Sequence, residues 1–260
     1  MTPAGHPTAP DPPFRVTGGA VVLGGEPVLQ DVDLTVSSGE FLSLLGENGS
    51  GKTTLLRALV GLQPLTSGTA QILGVPVGRF DQWQRVGYVP QHLLAAGAVP
   101  VSVREVVGAG LISPRTRWRP NRAVHRAGIQ QALDRVGLWS RRADSFHTLS
   151  GGQQRRVMIA AALAKGADIL LLDEPTAGVD QENVAQLHEM LSDLTGQGAT
   201  IVLVTHELGA LEDLVTRVVV LGRPPGASVR YNGPPPPPAS LHDPHGHHDE
   251  PPAPTGWSGP

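Results

Sequence analysis

Eight consecutive residues, Gly46-Glu47-Asn48-Gly49-Ser50-Gly51-Lys52-Thr53, match the pattern G-x-x-x-x-G-K-[ST]. The spacing has a chemical reason. Glycines let the backbone curl until several N–H groups converge on phosphate oxygens. The helix that follows, reading on from Thr54, turns its first N–H groups to the same anion. Lys52 would reach the β- and γ-phosphates of a nucleotide, and the Thr53 hydroxyl would bind Mg²⁺. A glycine-rich turn is the plain alternative. An apolar strand before the loop and a helix after it supply the context that favours the phosphate reading.

Two further segments carry chemistry. Asp168-Ile169-Leu170-Leu171-Leu172-Asp173-Glu174 is an apolar strand running into two carboxylates. In open α/β sheets, ligands gather at the carboxyl ends of strands. Asp173 would hold Mg²⁺ through water, and Glu174 would polarise an attacking water as general base. A solvated acidic turn explains this segment equally well taken alone, and loses only beside the phosphate loop. Leu149-Ser150-Gly151-Gly152-Gln153 is the third segment. It offers a Ser at an N-cap position and two Gly N–H groups opening a helix, which is a second anion site.

These residues need elements to hold them. Val32, Leu34 and Val36 alternate with polar residues, as in a strand with one buried face. Phe41–Leu45 reads as a buried strand, Gly46–Thr53 as a loop, and Thr54–Val60 as a helix ending at Gly61. Strands are also expected at 69–73, 85–89, 168–172, 200–204, 217–221 and 227–231. Helices are expected at 121–137, 151–164 and 181–195, with Ile129, Ala132, Leu133 and Val136 at helical spacing in the first. Strands alternating with helices predict an α/β fold with a parallel sheet. Residues 92–148 lack that alternation and read as a mostly helical insertion.

Composition narrows the function classes. The chain has 260 residues, 32 of them Gly and 25 Pro, and a net charge of −3. Ten prolines fall in residues 234–260, which also carry Asp243, Asp249 and Glu250 and no Lys or Arg. The rest of the chain balances at zero, against a general nucleic-acid binder. No cysteine excludes a disulfide framework and a thiolate metal site. No apolar run is long enough for a bilayer. No basic patch leads into an apolar stretch at the start, so no secretory signal is expected and the chain is read as cytosolic. The sequence divides into a Pro-rich, disordered 1–13, a folded domain at 14–233 with its helical part at 92–148, and a Pro/His-rich, disordered 234–260.

Together the three segments resemble the ATP-binding subunit of an ABC transporter. Leu149–Gln153 is the narrowest part of the match. The resemblance implies a P-loop NTPase core with a mostly parallel sheet, an N-terminal antiparallel β subdomain and a helical subdomain. In the family, Ser150, Gly151, Gly152 and Gln153 belong to the signature that contacts the γ-phosphate of ATP held by the other subunit. Tyr88-Val89-Pro90-Gln91 resembles the Q-loop, which implies Gln91 near Mg²⁺ and the attacking water. Ala177-Gly178-Val179-Asp180 resembles the D-loop, with Asp180 crossing the dimer interface. Val204-Thr205-His206-Glu207 resembles the switch region, with His206 on the γ-phosphate. The implied assembly is a head-to-tail homodimer sandwiching ATP and Mg²⁺. It would drive an integral membrane permease from the cytoplasmic face of the membrane. An extracytoplasmic solute-binding protein would be an indirect partner, and nucleic acid would not be one. The apolar stretch His92–Val103 would face the permease, or pack within the helical part.

Two positions depart from the family pattern. Leu23 stands where an aromatic residue usually stacks on adenine, and Ala161 where the helix after the signature usually has Arg, so that an ion pair or a contact within the helical part is expected to be missing. The tail adds His242, His245, His247 and His248 beside its carboxylates, a donor set suited to Zn²⁺. A solvated linker with no ligand is the alternative. Val86–Val106 and Glu174–Asp180 also resemble the ATPases of zinc and manganese importers. The cargo expected is therefore a divalent metal, zinc first and manganese next. An iron chelate or other small solute, a soluble ABC ATPase outside transport, and a metal-binding scaffold remain as alternatives.

Overall fold

The computed structural model describes residues 11–91, 101–111, 122–223 and 225–235. The chain opens with a hairpin of β1 (Phe14–Leu23) and β2 (Glu26–Val36). The alternation read at Val32, Leu34 and Val36 is real, and all three are buried. β1 also pairs antiparallel with β4 (Ser67–Ile72), and β5 (Val75–Pro76) closes the sheet in the order β2-β1-β4-β5.

The second sheet has six strands in the order β10-β9-β3-β8-β7-β6. Its parallel members are β3 (Phe41–Leu45), β6 (Val86–Val89), β7 (Ile169–Asp173), β8 (Thr200–Val204) and β9 (Arg217–Leu221). β10 (Val229–Gly233) runs antiparallel along one edge. Every residue of β3, β7 and β8 is buried, as near-continuous apolar strands covered on both faces should be.

The two faces feed separate cores. Phe41, Leu45, Leu170, Leu172, Ile201 and Leu203 point to one. That core is completed by α2 (Val103–Gly110), α3 (Arg122–Arg135), α4 (Gly151–Ala164) and α5 (Gln181–Gly196). Leu42, Leu44, Ile169, Leu171, Val202 and Val204 point to the other, against α1 (Lys52–Leu59) and the antiparallel sheet. Arg217 ties the sheets together, donating to the Glu40 carboxylate on one side and to the Thr35 carbonyl of β2 on the other.

Two expectations need correction, and one open choice is narrowed. α1 begins at Lys52 rather than Thr54, because Gly51 is its N-cap and Leu55 N–H already bonds the Gly51 carbonyl. β7 is Ile169–Asp173 rather than 168–172, one residue later at each end, and so includes Asp173, whose backbone pairs with Val204. Of the apolar stretch His92–Val103, residues 92–100 lie outside the described residues. Val103 is fully buried and Val101 packs on the same core, so this end of the stretch is internal. At Ala161, Gly110 of α2 lies against the α4 backbone. A Cβ on Gly110 would sit 2.2 Å from the Ala161 carbonyl oxygen.

Candidate active site

Gly51 adopts φ 85°, a left-handed conformation that only glycine takes without strain. A Cβ there would also lie 2.7 Å from Leu29 Cδ2. The loop thus needs glycine for both shape and room. Its turn starts α1 with Lys52 and Thr53 on the first turn, where N–H groups are unpaired and the helix dipole favours an anion.

Lys52 is almost wholly buried, and its Nζ donates to the carbonyls of Gly46 (2.7 Å) and Glu47 (2.9 Å). Burial pushes the ammonium below its ordinary value, while the nearby Glu174 and Asp173 charges pull it back up. An ammonium has three donors, so one remains for a phosphate oxygen. Ser50 Oγ is buried and has no hydrogen-bond partner among the described residues. A curled loop, a buried cation and an orphaned hydroxyl fit a polyphosphate.

Thr53 Oγ1 donates to Asp173 Oδ1 at 3.0 Å, although 120 residues separate them in sequence. Burial raises the Asp173 carboxyl above its usual value, against the pull of the Thr53 hydroxyl. A hydroxyl beside a carboxylate is the hard oxygen pair that suits Mg²⁺. Glu174 follows at φ 47°, a left-handed conformation for a residue with a side chain, stored at the end of β7. Its N–H bonds the Val204 carbonyl at 2.8 Å. Its carboxylate accepts from Gln91 Nε2 at 2.7 Å. His206, just beyond β8, is half-exposed, and its Nε2 lies 3.8 Å from Glu207.

Gly46, Glu47, Asn48, Glu174 and His206 line one cavity of about 880 Å³. Arg223 also lines it and forms an ion pair with Glu47 at 2.7 Å. Sequence reasoning missed Arg223, which sits in an irregular turn after β9 and carries no motif.

Lys52, Thr53, Gln91 and Asp173 do not line that cavity, and neither do Ser150, Gly151, Gly152, Gln153 and Asp180. The latter gather elsewhere. Ser150 caps α4, accepting from Gln153 N–H at 3.3 Å, and Gln153 Oε1 accepts from Ser150 N–H at 3.2 Å. Arg141, also missed, donates to the same Gln153 oxygen at 3.1 Å. Asp180 caps α5, and bonds from the Asn183 backbone and side chain hold its carboxyl below the ordinary value. Leu23 ends β1 with 43% of its surface exposed and is not part of the cavity lining. The four tail histidines lie outside the described residues. Among the described residues no group of three or more His, Asp or Glu could hold a metal ion. No helix there is long and apolar enough to cross a membrane.

A parallel sheet with a phosphate loop after β3, and acidic residues at the end of β7, two strands away across β8, defines a P-loop nucleotide hydrolase. The family can be stated more closely. Residues 29–177 match the ABC transporter family model, and the chain belongs to that family. The zinc uptake system ATP-binding protein ZurA of Listeria monocytogenes is 36% identical over 200 residues, covering 76% of this chain and 78% of that protein. The manganese transport system ATP-binding protein MntB of Bacillus subtilis is 34% identical over 209 residues, covering 80% and 83%. Among solved structures, cbiO1 from Clostridium perfringens, part of the transporter complex cbiONQ, superimposes with a TM-score of 0.73 at 26% identity. That match covers 86% of this chain and 89% of cbiO1. The chain is therefore an ABC-type ATPase that uses ATP and Mg²⁺. Such subunits dimerise and work with a membrane permease.

Proposed function

We propose that the chain powers an importer of a divalent metal ion, zinc first and manganese next, from the cytoplasmic face of the membrane. The observation that carries its chemistry is the meeting of Thr53, Asp173 and Glu174 beside the Lys52 loop. The cargo follows the zinc and manganese systems of its relatives.

In this reading the Lys52 ammonium and the N–H groups at the start of α1 hold the β- and γ-phosphates. Thr53 and Asp173 would hold Mg²⁺. When bound, the ion neutralises charge on the phosphate oxygens. Glu174 accepts a proton from the attacking water, Gln91 orients that water, and His206 contacts the γ-phosphate. Ser150, Gly152 and Asp180 serve the site of a second copy arranged head to tail. Leu23 would pack on adenine without stacking. An extracytoplasmic binding protein would deliver the cargo to the permease.

The decisive experiment pairs Glu174→Gln with metal uptake. The variant should lose steady-state hydrolysis by at least ~100-fold and accumulate an ATP-bound dimer. Hydrolysis near the wild-type rate would remove Glu174 as the base. Cells lacking the gene should lose zinc or manganese uptake and regain it from a plasmid copy. Restored uptake of some other solute would reassign the cargo.

The His-rich tail is a separate part of the proposal. His242, His245, His247 and His248 would bind Zn²⁺ as a buffer or sensor outside the transport path. Deleting 239–260 should abolish calorimetric Zn²⁺ binding and leave basal ATPase intact. Undiminished binding would place the zinc elsewhere.

A further inference from the structure

The residues assigned to the partner's nucleotide come from two separate segments. Ser150 and Gly152 open α4, while Asp180 caps α5. They are useful together only if the distance between them is held. Three contacts do this. A Cβ on Gly152 would lie 2.8 Å from Asn183 Cβ and 2.9 Å from Val179 Cγ1, so the two segments touch with no space for a side chain. Arg155 Nη1 donates to the Ala177 carbonyl at 2.9 Å. Arg156, buried in α4, donates through Nη1 to the Val136 carbonyl at 3.1 Å and through Nη2 to Asn183 Oδ1 at 2.9 Å.

The third contact continues. Asn183 Nδ2 donates to Asp180 Oδ2 at 2.7 Å, and the Asn183 backbone N–H donates to Asp180 Oδ1 at 3.0 Å. The amide has no freedom to turn over. A guanidinium offers only donors and a carboxylate only acceptors, so one orientation satisfies both. The Asp180 carboxylate has each oxygen held by Asn183, and Asn183 is itself held by the signature helix.

We infer that Asn183 is a positioning residue, which locks the Asp180 carboxylate to α4 so that both segments meet a second copy as one rigid edge. The inference rests on the head-to-tail dimer proposed above. A chain in which this relay is broken still binds nucleotide at its own phosphate loop. It presents a loosened Asp180 to its partner, and both dimer formation and turnover fall.

The test compares Asn183→Asp and Asn183→Ala in the full chain, each with and without Glu174→Gln, using Mg²⁺ and ATP as the probe. The aspartate keeps an acceptor for Arg156, so the helix contact survives, but it repels Asp180. The alanine keeps the Cβ against Gly152 and removes both side-chain bonds. Either variant that folds carries the test, with folding checked by unchanged affinity of the monomer for a fluorescent ATP analogue. The expected result is a kcat about tenfold lower and, with Glu174→Gln, an ATP-driven dimer about tenfold weaker by sedimentation. That is the scale of one lost charge-assisted hydrogen bond. An Asn183→Asp chain with wild-type kcat and wild-type dimer affinity would overturn the inference, since satisfying Arg156 would then be all the side chain does. Absence of any ATP-driven dimer in the Glu174→Gln chain with Asn183 intact would overturn the dimer reading itself, and this inference with it.

Discussion

Gln91 Nε2 donates to Glu174 Oε2 at 2.7 Å, joining residues 83 apart in sequence. The amide occupies one oxygen of the carboxylate proposed as the base. Among the described residues it leaves the other free for water.

This pair makes a direct prediction. Gln91→Glu would set a second carboxylate against Glu174 in a partly buried site, and like charges at that range repel strongly. Turnover should fall by at least ~30-fold while nucleotide affinity moves less than about threefold. Steady-state kinetics with a binding titration separates the two. A variant with unchanged kcat would mean that the amide does not matter to the base.

Asp173 supplies a prediction about stability. Burial raises its carboxyl, so the charged form costs stability in full above its folded value. The cost disappears as the pH falls below the unfolded value. Asp173→Asn retains an acceptor for Thr53 and removes the charge. Without nucleotide, this variant should be more stable than wild type by about 1 kcal/mol at neutral pH and should lose Mg²⁺-dependent hydrolysis. Thermal melts at several pH values check it. The gap should narrow as the pH is lowered towards the ordinary carboxylate range. A gap that widened instead would reverse the assigned shift.

Leu23 can be replaced without touching either core, since nearly half of its surface is exposed. Leu23→Tyr should lower the KM for ATP about three- to tenfold by stacking on the base, with kcat little changed. The gain should be absent with triphosphate alone. No change in KM would place the adenine elsewhere.

The sequence told more about chemistry than about how the chemistry is held. Gly46–Thr53 and Leu149–Gln153 are legible because their function demands particular residues at particular spacing. β3, β7 and β8 are legible because strands buried on both faces must be apolar throughout. The two-residue error at the start of α1 has a local cause. Gly51 can be read as loop, but its carbonyl already accepts the first helical bond. The supports of the site are less visible. Arg156, Asn183 and Asp180 sit on two helices that meet only in space. Arg155 and Arg156 look like solvated charges until α4 is seen to be buried along much of its length. At Val103 the sequence leaves two readings open, a permease-facing surface and packing within the helical part, because composition does not say which way a side chain faces.

The central sheet divides the protein into two cores that share strands but not side chains. One lies beneath the phosphate loop and the antiparallel sheet, and the other beneath α2, α3, α4 and α5. A fault in one therefore need not reach the other. Gly110→Ala, which forces a methyl against Ala161 on the helical side, should lower stability by about 1–3 kcal/mol while isolated chains still bind nucleotide normally. Damage on that side would act as a slipping clutch, in which the motor keeps its fuel and its spark and the drive shaft turns nothing.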